Sequence, residues 1–142
     1  MTDKLSGMHP DLVSRVRRIE EALRLLGFPM VVTDGVRTTA QQVALYAKGR
    51  TAPGHIVTHA DGVRSRSNHQ TKADGFGHAV DCVFIVDGQP SWDLHLPWSL
   101  YGAAGEALGL VWGGRFTTLH DFPHLELPGG TTALPEEKAL IV

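Results

Sequence analysis

Leu12, Val16, Ile19, Leu23 and Leu26 recur at steps of three and four residues, the spacing that lines one face of an α-helix with apolar side chains. Pro10 suits the first turn of that helix, and Gly27 offers the left-handed residue that closes it. Arg15, Arg17, Arg18, Glu20 and Glu21 fall on its wet faces and read as a solvated surface. Phe28 to Thr33 is apolar enough for a short buried strand and ends at Asp34-Gly35. A second helical pattern runs from about Thr39 to Lys48, with Val43, Ala44, Leu45 and Ala47 as its apolar content and Gly49 as its stop.

From Arg50 to Asp74 neither period persists, and Gly, Pro, Ser, Thr, Asn and His dominate. So long an unstructured connection is uncommon unless it serves a site, so the segment is expected to wall a cleft. Gly77 to Val86 then turns apolar and reads as a strand, with Asp81, Val83 and Ile85 on one face and Val80, Cys82 and Phe84 on the other, before a turn at Asp87-Gly88. Beyond a polar stretch, Trp98 to Leu108 reads as a third helix despite Gly102 and Gly105. Leu110-Val111-Trp112 and His124-Leu125-Glu126-Leu127 read as two more strands, and in the second of them His124 and Glu126 share a face. The chain from Pro128 to Val142 is expected to be a loose tail.

The 142 residues, 42% of them hydrophobic, suffice for one domain with a core near residues 8–128. A net charge of −2 offers no basic field, which argues against nucleic acid or a membrane surface as partner. The single cysteine, Cys82, sits among apolar neighbours and is expected to be a buried thiol. No segment approaches the ~18 apolar residues of a membrane span, and the first residues lack a signal-peptide pattern. Synthesis in the cytoplasm and a monomeric state are the resulting expectations.

Candidate chemistry gathers in Ser67 to Asp81 and in Asp121 to Glu126, where imidazoles and carboxylates lie between glycines and short apolar runs. Asp81 in an apolar strand needs a positive neighbour, either an arginine or a metal ion. Of the eight histidines, His69 and His124 lie near carboxylates. His78 and His120 are left between a supporting and a solvent-facing role, while His9, His55, His59 and His95 are read as ordinary polar side chains. Arg37, at a strand-to-helix corner, is open to reading as a ligand contact or as a surface cation. No His-Glu-x-x-His helix, cysteine pair, Gly-x-Ser-x-Gly elbow or phosphate-binding glycine loop is present.

Ser67-x-His69, Gly77-x-Ala79-x-Asp81 and Asp121-x-x-His124-x-Glu126, with Asp34-Gly-Val-Arg37-Thr upstream, together resemble the zinc D-alanyl-D-alanine carboxypeptidase and L-alanyl-D-glutamate peptidase family, which includes VanY-like enzymes and phage endolysins. Two features depart from the family pattern: Lys72 to Phe76 are inserted before Gly77, and Val36 stands where an aromatic residue is common. The resemblance implies an α+β, hedgehog-like fold in which a small antiparallel sheet carries one Zn²⁺ and is flanked by about three helices. It further implies His69, Asp81 and His124 as metal ligands, Asp121 as general base and Arg37 as stabiliser of the oxyanion, with Ser67 and Gln42 as substrate contacts. The implied substrate is the peptidoglycan stem peptide, cut by an endolysin-type L-alanyl-D-glutamate endopeptidase. A D-alanyl-D-alanine carboxypeptidase and a non-catalytic zinc-bearing wall-binding or phage structural protein are the alternatives.

Overall fold

A computed structural model describes residues 4–129; the predicted tail lies, from residue 130, outside them. Three helices, α1 (Pro10–Leu25), α2 (Thr39–Ala47) and α3 (Trp98–Ala107), accompany five strands: β1 (Met30–Asp34), β2 (Ala79–Val86), β3 (Gln89–Ser91), β4 (Val111–Trp112) and β5 (His124–Glu126). All pairings are antiparallel, in the order β1-β2-β5-β4, and β3 also pairs with β2. β2 is the central strand. Phe84 lies opposite Met30 and Ser91, whereas Asp81 lies opposite Asp34 and His124, so β3 and β5 divide one edge of β2 between them while β1 holds the other. This α+β arrangement is the expected one, and the register puts Asp81 between two strands that each bring a polar residue to it.

The helix stripe packs as its spacing predicts: Leu12, Val16, Ile19 and Leu23 are buried against Val80, Cys82, Phe84, Trp98 and Tyr101. Complete burial of one such aliphatic side chain is worth about 1.5–3 kcal/mol. The His9 ring accepts a hydrogen bond from Asp11 N at 3.1 Å and caps α1, with Pro10 in its first turn. Leu26 falls outside the stripe: the helix ends at Leu25 and Leu26 is exposed. Cys82 is the buried thiol expected, and burial pushes its pKa well above the ordinary range.

Three local expectations need revision. The first strand begins at Met30 and is only half-buried after it. β3 lies in the stretch read as polar connection, because its three residues complete a hairpin through the left-handed pair Asp87 and Gly88. In α2 the apolar Val43 faces solvent and the one buried residue is Gln42. A polar inward residue defeats a reading by hydrophobic period.

The glycines of α3 have a packing reason. A Cβ on Gly102 would lie 2.2 Å from the Trp112 ring, and one on Gly105 would lie 2.5 Å from Leu125. Both neighbours are core side chains, so the gain in helix propensity cannot be collected. Gly102→Ala is therefore expected to destabilise the fold by about 1–3 kcal/mol, read as a lower denaturation midpoint in urea with unchanged slope.

Candidate active site

The centre of the molecule's main cleft is Asp81. β2 carries it, β5 places His124 opposite it, and the loop before β2 brings His69 to the same point. The ligand atoms of His69, Asp81 and His124 all lie within 4.8 Å of one another. Each imidazole is oriented by a hydrogen bond on its far nitrogen. His69 Nδ1 lies 2.9 Å from the Gly35 carbonyl, which can only accept, so the proton sits on Nδ1 and Nε2 is left bare. Nε2 stands 3.3 Å from Asp81 Oδ1. His124 uses the other nitrogen: Nε2 donates to Glu126 Oε1 at 2.6 Å, and Nδ1 faces Asp81 Oδ1 at 3.4 Å.

His69 Nε2 and Asp81 Oδ1 are buried without a hydrogen-bond partner. Such atoms are costly to bury unless something cationic completes them. Two nitrogens and a carboxylate converging on one point, each imidazole braced from behind, form a donor set that suits Zn²⁺. Burial works to raise the Asp81 pKa, but the two adjacent imidazoles outweigh it and hold the carboxyl far below the usual range. For His124 burial works downward, yet Asp81 and Glu126 push its pKa up to about 10.

Asp121 sits on the turn into β5, where its backbone N donates to Gly113 O at 2.9 Å and its carbonyl accepts from His124 N at 3.1 Å. Gly113 is essential to that approach, since a Cβ there would lie 2.3 Å from Asp121 O. The carboxylate is half-exposed, with Oδ2 3.7 Å from His124 Nδ1. Burial first, and the negative charge of Asp81 second, raise its pKa against the opposing pull of His124, His69 and Arg37. Glu126, its rival on the shared face of β5, has both oxygens engaged: Oε1 with His124 and Oε2 with Asn68 Nδ2 at 2.7 Å.

Arg37 is a cleft residue. Its Nε and Nη2 both donate to Asp34 Oδ2, at 3.1 and 2.5 Å; Nη1 donates to Gln42 Oε1 at 2.7 Å, and Nη2 lies 3.8 Å from Asp81 Oδ2. Ser67 also lines the cleft, and its Oγ accepts from His69 N at 3.1 Å. Gln42 does not line it. It is wholly buried, with its amide spent on Arg37, Thr58 Oγ1 and the Ala60 carbonyl. The expected substrate contact is thus a strut beneath the cleft, tying Arg37 to the wall.

The cleft encloses about 700 Å³, and its lining includes Leu45, Ile56, Val57 and His59 together with Phe116, Leu119 and His120. His59, read from sequence as an ordinary histidine, lines it, and the aperiodic segment forms its wall as expected. His78 stands apart. It pairs with Asp74 at 2.7 Å and packs edge-on to His9, and so fastens the inserted Lys72–Phe76 turn to the start of α1. Asn68 and Gln70 were not singled out from sequence, and Asp34 was quoted there without a role. Gln70 is buried and joins Ser67 N, Thr39 Oγ1 and the Gly62 carbonyl; nothing in a lone amide's sequence surroundings marks such a role.

The Asn68–Glu126–His124 chain makes a specific prediction. Glu126→Gln or Asn68→Ala should weaken zinc binding about 10- to 100-fold by loosening the His124 ring, as read by competition with a chromophoric chelator. Unchanged affinity in both variants would remove the brace from the account.

A family model for D-alanyl-D-alanine carboxypeptidase matches residues 61–127. The chain is 31% identical over 131 residues to the peptidoglycan L-alanyl-D-glutamate endopeptidase CwlK of Bacillus subtilis strain 168, covering 86% of this chain and 74% of that relative. Among solved structures it is similar to the L-Ala D-Glu endopeptidase ChiX of Serratia marcescens, with 28% identity, a TM-score of 0.53 and 87% and 82% of the two chains covered. It shares its fold with the vancomycin-resistance D,D-pentapeptidase VanY, solved with Zn(II), at 19% identity and a TM-score of 0.55, over 87% and 76% of the chains.

Proposed function

The chain belongs to the peptidase family of the D-alanyl-D-alanine carboxypeptidases and L-alanyl-D-glutamate endopeptidases, and from that premise we propose that it cuts the peptidoglycan stem between L-alanine and D-glutamate. It is a peptidoglycan hydrolase with zinc as cofactor. The observation that carries the reading is the pair of buried, unpartnered atoms, His69 Nε2 and Asp81 Oδ1, facing one point in the cleft beside His124 Nδ1.

His69, Asp81 and His124 would hold Zn²⁺, which when bound would supply Lewis acidity toward the scissile carbonyl and the attacking water. Asp121 receives the proton of the attacking water and returns it to the leaving amine. Arg37, fixed by Asp34 and Gln42, sets a positive charge where the oxyanion develops. Ser67 positions the substrate from the His69 side. The internal bond is favoured over the terminal one because CwlK and ChiX, whose names carry the L-Ala-D-Glu specificity, are the matches at 31% and 28% identity.

Acting on the wall as a monomer, such an enzyme would serve lysis in the manner of a phage endolysin. No helix among the described residues is long and apolar enough to cross a membrane. Purified muropeptides incubated with the zinc-loaded protein should yield fragments split between L-alanine and D-glutamate by mass spectrometry, and a chelator should abolish them. Free D-alanine with an intact L-alanyl-D-glutamate linkage would establish the carboxypeptidase instead.

A further inference from the structure

Four carboxylates, Asp34, Asp81, Asp121 and Glu126, line the cleft, so an anionic peptide entering it meets repulsion unless a cation receives it. Arg37 is already committed to Asp34 and Gln42. Arg66 is not. It lines the cleft next to Ser67 and is exposed, and its guanidinium's hydrogen bond is a single one, from Nη2 to the Thr71 carbonyl at 3.3 Å. No ion pair joins it to a carboxylate among the described residues.

Lys72, half-buried, directly follows Thr71, whose carbonyl Arg66 grips, and the carboxylates of Glu126 and Asp74 act on its charge. Those carboxylates are engaged elsewhere, Glu126 with His124 and Asn68, Asp74 with His78. The Lys72 backbone is held in a tight turn, its N donating to Phe76 O and its O accepting from Gly75 N, both at 2.9 Å. Two positive charges are thus close in this part of the chain, and Arg66 is the one that lines the cleft without a carboxylate partner.

We propose that Arg66, backed by Lys72, is a specificity-determining subsite that binds the free α-carboxylate of the stem's D-glutamate. The inference rests on the reading of the cleft as a stem-peptide site. In a stem joined through the glutamate side chain, that carboxylate sits on the carbon bearing the scissile nitrogen, so a cation on the wall that carries Ser67 and His69 is suitably placed to receive it. A guanidinium presents a planar fork of donors that matches a carboxylate. Because Lys72 belongs to the inserted turn, the subsite is a property of this chain's own loop.

The test uses zinc-loaded Asp121→Asn protein, which needs no turnover, titrated with synthetic L-alanyl-γ-D-glutamyl peptides whose α-group is either the carboxylate or the carboxamide. The acid is expected to bind about 10- to 100-fold tighter, the value of a charge-assisted hydrogen bond. Adding Arg66→Gln should erase the preference, Arg66→Lys should retain part of it, and Lys72→Met should reduce it. Equal binding of the two peptides, binding of neither at millimolar concentration, or a preference that survives Arg66→Gln would overturn the proposal. Cleavage by the wild-type protein is scored separately. An acid preference erased by Arg66→Gln stands even if another bond is cut, and failure of the subsite leaves the bond assignment intact.

Discussion

Asp121→Asn is expected to lower kcat about 10²- to 10⁴-fold while zinc content and fold stay unchanged, the usual loss when a general base is removed. Asparagine keeps the size and turn geometry of aspartate, and the contacts of this turn to Gly113 and His124 are made by backbone atoms that the substitution leaves alone. Glu126→Gln serves as the contrast. Its carboxylate is bound on both oxygens by His124 and Asn68, so its effect should be smaller and should appear in metal affinity. Stopped assays at matched zinc occupancy check the pair, and an active Asp121→Asn beside a dead Glu126→Gln would transfer the role of base to Glu126.

The second large effect is expected at the metal. His69→Ala, Asp81→Ala and His124→Ala should each abolish stoichiometric zinc, a loss exceeding the about 10- to 100-fold that supporting residues account for. Asp81→Ala should be the most severe, because it removes the one charge that faces both imidazoles, at 3.3 and 3.4 Å. Elemental analysis of the purified variants reads this directly. Full zinc occupancy in any two of them would refute the ligand set.

How much of this was legible in the sequence depends on what each residue is fixed by. The stripe of α1 and the apolar run of β2 are set by burial of apolar side chains, so the hydrophobic pattern reveals them. His69, Asp81 and His124 stand out because an acid in an apolar strand and histidines beside glycines need an explanation that packing does not give. Gln70, and the supporting role of Gln42, were hidden for the opposite reason. A buried amide is stabilised by partners from distant segments, here Thr58, Ala60 and Gly62, and no local pattern announces them. The competition between Asp121 and Glu126 was likewise open in one dimension, since only the position of Asn68 shows that Glu126 has no free oxygen.

The two buried glutamines also bear on how such an enzyme changes over generations. They hold the long wall largely by its main chain, at the Ala60 and Gly62 carbonyls, and Arg50 grips the Thr58 carbonyl in the same way. Main-chain grips are indifferent to side-chain identity. Ile56, Val57 and His59, which face the cleft between these fastenings, are thus free to drift under selection for a different wall chemistry while the metal centre is inherited intact.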